Sequence, residues 1–210
     1  VGVGDVPDGR AWFVDPLDGT EDFVAGRPDY VVQIGLCIGR QPALGVLFEP
    51  ETGVVWRAVV ADGLCERIAP AGIAHALDVR TRALEGAPRI AISVSHPSET
   101  VEAVVQHLGA TALRIGSVGL KVGAIVDDRA DAYVTTSRRI KVWDTCAPAA
   151  VLLAAGGVVT TLSGAPLLFA GAAAHPDGVC MWTPAAKAAL SERVQEGVRR
   201  FRASGATTRA

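Results

Sequence analysis

Short apolar runs, each closed by Gly, Pro or charge, dominate the first part of the chain: residues 11–14, 30–38, 43–49 and 54–60. Their length and β-branched content predict strands. Gly39-Arg40-Gln41-Pro42 and Pro50-Glu51-Thr52-Gly53 separate the later runs, so an antiparallel meander is expected. Residues 61–84 contain Gly63, Pro70 and Gly72 and predict loops with a small extra strand. Beyond them the period changes. Residues 89–95 predict a strand closed by Pro97; Ser98 then caps a helix to about residue 108, with Val101, Val104, Val105 and Leu108 on one face and Gly109 as its stop. Residues 113–115 and 132–135 read as strands around a helix over 120–126, and a helix over 149–155 ends at Gly156-Gly157. Residues 158–161 and 179–182 read as further strands, and Thr183-Pro184 opens a terminal helix. Strand and helix alternate here, which predicts an α/β half (86–210) beside an antiparallel-sheet half (1–85). Residues 1–10 read as a loose lead-in and the tail after Arg202 as disordered.

The string Asp15-Pro16-Leu17-Asp18-Gly19-Thr20 carries the strongest candidate chemistry. Pro16 lacks an N–H and fixes φ, so the first strand is expected to stop there, and Gly19 permits a second tight turn. Asp15 and Asp18 then face one point. Two carboxylates with a backbone carbonyl between them make a hard-oxygen site suited to Mg²⁺. The N–H groups of Gly19, Thr20 and Glu21 open a short helix and can hold an anion. The same residues also read as a polar turn in which Asp18 caps a helix. A second string, Lys141-Val142-Trp143-Asp144-Thr145-Cys146-Ala147-Pro148, places Asp144 where an N-cap belongs. It reads either as a capped core helix or as a cap that also turns a carboxylate oxygen toward a cation.

Composition narrows the class. Half of the 210 residues are hydrophobic, and 20 basic residues stand against 22 acidic ones with no long charge block, so neither a nucleic-acid polymer nor a membrane surface is an expected partner. Apolar stretches fall short of a bilayer span, and no signal-peptide pattern opens the chain. Cys37, Cys65, Cys146 and Cys180 lack paired spacing and read as free buried thiols in a reducing cytoplasm.

The two strings, with Ser93-Val94-Ser95-His96 and Gly116-Ser117-Val118-Gly119-Leu120-Lys121, resemble the inositol monophosphatase superfamily, and within it the 3′(2′),5′-bisphosphate nucleotidases more than the inositol enzymes. The resemblance implies an α/β (α+β) layered sandwich. It implies Mg²⁺ held by Asp15, Asp18, Asp144 and the Leu17 carbonyl, with Asp15 and Thr20 catalytic and the Thr20 hydroxyl orienting the attacking water. Gly19 and Thr20 would steady the reacting phosphate, Asp144 would also contact the substrate, and Ser93, His96, Ser117 and Lys121 would contact the nucleotide. Read as local structure, His96 is also a helix-capping residue before Pro97 and Lys121 a solvated helix residue. The implied reaction is hydrolysis of the 3′-phosphate of a 3′-phosphoadenosine 5′-phosphate-like compound, with an inositol phosphate as the alternative substrate.

The chain departs from that pattern at its start. Members carry N-terminal helices and an acidic Glu-Glu loop about twenty residues before the Asp-Pro-Leu-Asp string, whereas Val1 lies fourteen residues before Asp15 and is no initiator Met. Asp5 and Asp8 lie too near Asp15 to replace that loop. A fragment, a processed chain or an unusual gene product would each begin this way. The expectation is a weakly active or inactive phosphate- and metal-binding chain whose bare sheet face promotes association, a homodimer included.

Overall fold

The computed structural model describes residues 9–169 and 173–204; the expected lead-in before residue 9 and the tail from 205 onward lie outside them. Six strands form one antiparallel sheet in sequence order: β1 (Arg10–Asp18), β2 (Val31–Ile38), β3 (Gln41–Glu49), β4 (Val54–Val59), β5 (Leu64–Ile68) and β6 (Ala74–Ala76). The short helix α1 (Thr20–Val24) joins the first two. The rest of the chain builds a mixed five-stranded sheet in the order β10-β11-β9-β7-β8, from β7 (Arg89–Ser93), β8 (Thr111–Ile115), β9 (Ala132–Thr135), β10 (Val158–Thr160) and β11 (Val179–Trp182). Its helices are α2 (Glu99–Leu108), α3 (Val118–Val126), α4 (Val142–Ala154) and α5 (Pro184–Ala203).

Four layers result. One core cluster joins the inner face of the six-stranded sheet (Val31, Leu47, Trp56) to α3 and α4, and those helices to one face of the five-stranded sheet (Ala91, Tyr133, Met181). A second cluster joins the other face of that sheet (Ile90, Ala132, Trp182) to α2 and α5. Alternate residues of β7, β9 and β11 thus feed opposite cores, as the period of two requires.

Two glycines decide where α4 lies. Gly35 and Gly45 face each other across β2 and β3. A Cβ on Gly35 would stand 2.7 Å from the Ala147 nitrogen, and one on Gly45 would strike the Ala147 carbonyl. The helix therefore rests directly on sheet backbone, which brings its first turn beside the end of β1.

Several boundaries differ from the sequence expectation. Pro16 does not stop the first strand: β1 continues to Asp18, with its pairing to β2 slipping between Asp15 and Asp18. As a strand of the sheet edge, β1 needs no ladder donor on its solvent side, so Pro is tolerated. Residues 61–84 hold two strands, β5 and β6, rather than one. The fourth helix begins at Val142, so Asp144 occupies its first turn rather than its N-cap, which is Lys141. Its carboxylate reaches back to accept from the Lys141 backbone N–H at 2.8 Å. Pro148 then lies inside the helix and cannot donate to the Asp144 carbonyl four residues back. The buried Gln33 amide donates there instead, at a long 3.4 Å. Helix α5 runs one residue past Arg202, to Ala203.

Candidate metal and phosphate site

The three aspartates singled out by sequence lie where the end of β1 approaches the N-termini of α3 and α4, near enough for their charges to act on one another. Each is oriented in the same manner. Asp15 Oδ1 accepts from the Leu17 N–H at 3.0 Å. Asp18 Oδ2 accepts from the N–H groups of Val118 and Gly119, at 2.7 and 3.2 Å, at the start of α3. Asp144 Oδ2 takes the Lys141 N–H. In every case one oxygen is pinned by backbone, while Asp15 Oδ2, Asp18 Oδ1 and Asp144 Oδ1 carry no hydrogen bond to the described residues.

Electrostatics shows what such an arrangement lacks. Burial, then the charges of Asp144 and Asp15, push Asp18 up to about 7, against partial relief from Lys121 and the Gly119 N–H. Burial raises Asp144 to about 6, with Asp15 adding repulsion, and burial raises Asp15 as well. Mutual repulsion among desolvated carboxylates is what a bound cation relieves. The donor set fits a hard divalent ion: carboxylate oxygens plus the Leu17 carbonyl, which already accepts from the Thr20 hydroxyl at 2.8 Å and keeps a second lone pair. Gln33 lies opposite Asp15 on β2, and its buried Oε1 has no hydrogen-bond partner. Among the described residues no group of three or more His, Cys, Asp or Glu side chains is placed so that it could hold a metal ion.

The other expected residues fall around this centre. Gly19 adopts a left-handed φ of 94° at the N-cap of α1, and a Cβ there would meet the Asp29 carbonyl at 2.5 Å. Thr20, its hydroxyl proton given to Leu17, presents its oxygen as an acceptor. Ser117 is the N-cap of α3, its hydroxyl accepting from Leu120. Lys121 was expected on a solvated or phosphate-facing surface, yet it is 1% exposed. Its ammonium donates to the carbonyls of Gly116 (2.5 Å) and Ser117 (3.1 Å) and stands 5.3 Å from the centre of the Tyr133 ring. Burial lowers its pKa to about 8, against the opposing pull of Asp18, Asp22 and Asp29. Ser93 accepts from the His96 N–H, and the exposed His96 ring lies 3.3 Å from the Glu21 carboxylate. Ser93 and His96 line a small cavity of about 20 Å³ together with Tyr133, whose hydroxyl pKa is raised by burial and by the charges of Asp18 and Asp144.

Sequence reasoning missed Asp22, Gln33 and Tyr133. No pattern signal marks Gln33 or Tyr133 beyond strand periodicity. Asp22, two residues after Thr20 on a five-residue helix, carries no local signal of its burial. The four cysteines are free and buried, as expected, and burial raises the thiol pKa of each, to about 12 for Cys65.

The model of the family described as "Inositol monophosphatase family" matches residues 3–198. The chain is 35% identical over 167 residues to a 3′-phosphoadenosine 5′-phosphate phosphatase of Mycobacterium bovis, covering 76% of this chain and 57% of that protein. It is 32% identical over 168 residues to a Golgi-resident adenosine 3′,5′-bisphosphate 3′-phosphatase of Bos taurus, covering 76% of this chain and 43% of the relative. The chain thus spans about half the length of the curated relatives it matches. Among solved structures, a Thermotoga maritima IMPase superposes with a TM-score of 0.74 at 23% identity, over 95% of this chain and 74% of the other. That likeness bears out the layered mixed α/β fold.

Proposed function

Since the chain belongs to the inositol monophosphatase family, we propose that it is built for Mg²⁺-dependent hydrolysis of a phosphomonoester, the 3′-phosphate of a 3′-phosphoadenosine 5′-phosphate-like bisphosphate nucleotide. The observation that carries the reading is the set of three aspartates, each held by a backbone N–H through one oxygen and leaving the other oxygen open. The relatives' names supply the substrate class.

In this reading Asp15, Asp18, Asp144 and the Leu17 carbonyl hold Mg²⁺. Once bound, the ion neutralises phosphate charge, acidifies water and stabilises the leaving oxygen. The chain's own groups position the reactants. The Thr20 oxygen accepts a hydrogen bond from the attacking water, because its own proton is committed to Leu17. The backbone N–H groups of Gly19 and Thr20 steady the reacting phosphate. Ser93, His96 and Ser117 are assigned to the nucleotide side. Lys121 contributes its charge from beneath the 116–117 turn, which it holds through two carbonyls. Among the described residues no helix is long and apolar enough to cross a membrane.

The test is phosphate release by the 210-residue chain from 3′-phosphoadenosine 5′-phosphate and from inositol 1-phosphate, with Mg²⁺ and with chelator. Preference for the nucleotide, abolished by chelator, is expected. Preference for inositol 1-phosphate would overturn the substrate assignment. Stoichiometric Mg²⁺ binding with turnover of neither compound would leave a metal-binding chain without catalysis.

A further inference from the structure

Asp22 is almost fully buried although it sits on a helix of five residues between the exposed Glu21 and Phe23. A helix that short cannot sustain itself and must be held by tertiary contacts. The Asp22 carboxylate supplies them. Its Oδ1 accepts from Arg27 Nε at 2.7 Å and lies 2.6 Å from Arg27 Nη2, while the Arg27 N–H bonds the Asp22 carbonyl at 2.9 Å and closes the exit from α1. Its Oδ2 accepts the Ser95 hydroxyl at 2.5 Å, on the segment between Ser93 and His96. The same Oδ2 lies against Gly116: any Cβ there would collide with it and with the Asp29 side chain. The Gly116 carbonyl is in turn held by Lys121, which also feels the Asp22 charge.

Three segments therefore converge on one buried carboxylate: the helix that follows Thr20, the 93–96 loop and the 116–117 turn. We propose that Asp22 is a positioning residue that registers the phosphate-bearing loop to the two segments assigned to the nucleotide, so that it governs recognition of the substrate's second half rather than cation binding. The inference rests on the proposed nucleotidase reading. Its physical basis is that a buried, doubly bonded carboxylate is costly to break and allows only one arrangement of its donors. Asn in its place keeps the shape but loses the charge that matches Arg27, and Ala leaves Arg27 and Ser95 without their acceptor. Ser95→Ala removes the loop limb alone.

The experiment compares wild type, Asp22→Asn, Asp22→Ala and Ser95→Ala in the full chain by three readouts. KM and kcat are measured on 3′-phosphoadenosine 5′-phosphate and on adenosine 3′-monophosphate; Mg²⁺ affinity is measured by calorimetry; amide exchange is followed over 93–98 and 116–121. For Asp22→Asn and Ser95→Ala, KM for the bisphosphate is expected to rise about 10- to 100-fold. Change is expected to be within about threefold in kcat and in Mg²⁺ affinity, with faster exchange in both segments. A fall in kcat and Mg²⁺ affinity with KM unmoved would overturn the proposal, as would unchanged exchange in Asp22→Ala. Should wild type turn over neither compound, the nucleotidase reading fails, while the exchange arm still decides whether Asp22 registers the three segments; Ser95→Ala serves there if Asp22→Ala does not fold.

Discussion

The two sheets are built from similar residues and meet different fates. In the five-stranded sheet every residue of β11 is buried, and β7 and β9 are buried along most of their length, because helices cover both faces. In the six-stranded sheet only the inner face is covered. Its outer face carries rows of apolar side chains in register: Trp12, Leu36, Leu44 and Val59 in one, Val14, Ile34 and Val46 in another. Trp12 is 61% and Val14 56% exposed. Alternation of residues along a strand thus fails to announce which face meets water, since both faces of this sheet are apolar. The site lies at the boundary between the two regimes, where carboxylates are half buried enough to be pinned and open enough to bind.

The contrast predicts unequal costs on the two faces of a single strand. Leu47 is fully buried and its neighbour Phe48 is 37% exposed. Leu47→Ala is expected to destabilise the chain by about 2–5 kcal/mol, whereas Phe48→Ala should cost no more than about 1 kcal/mol. Equal losses in urea unfolding would mean that the outer face is covered in solution.

At the site, Asp144→Asn keeps the hydrogen bond to Lys141 within reach but removes a charge from the cation site. Turnover is expected to fall on the order of 10² to 10³, with folding intact. Retention of rate would remove Asp144 from the metal set.

A smaller effect concerns pH. Asp18 sits at about 7 in the fold against 3.8 ordinarily, so the folded chain holds a proton that the unfolded chain has lost between those values. The associated stability is present below about 3.8 and disappears as pH rises through 7; Asp144, raised to about 6, acts in the same direction. Mg²⁺ competes with those protons. The gain in melting temperature on adding Mg²⁺ should therefore grow from pH 5 to pH 7.5, and Asp18→Asn should flatten that trend. A Mg²⁺ gain independent of pH in wild type would contradict the site.

The smallest expected change in stability, within about 0.5 kcal/mol, is for Ile34→Lys on the outer face. Its larger consequence is in solution behaviour. An apolar patch of this extent promotes association, so sedimentation velocity should show concentration-dependent association in wild type that Ile34→Lys reduces. A wild-type chain monomeric at all concentrations would show that the exposed rows are tolerated as they stand.

Much was determined by the amino-acid sequence alone. Strand runs, the caps Ser98 and Thr183, and the stop at Gly109 follow from local backbone and side-chain preferences, and the structure places them as expected. The three aspartates were legible because carboxylates at a strand end and in a helix's first turn form short patterns. Only the tertiary structure decided the rest, for reasons that act across long separations in the chain. Pro16 stays in a strand because that strand is an edge. Pro148 is accommodated inside a helix beside Gln33, which donates to the carbonyl it leaves open. Lys121 turns inward because two carbonyls and three aspartates surround it. Asp22 is buried because Arg27 and Ser95 close over it. The partners that matter most lie far away in sequence, Gln33 for Pro148, Ser95 for Asp22 and Asp18, Asp22 and Asp29 for Lys121, and local pattern holds no information about them.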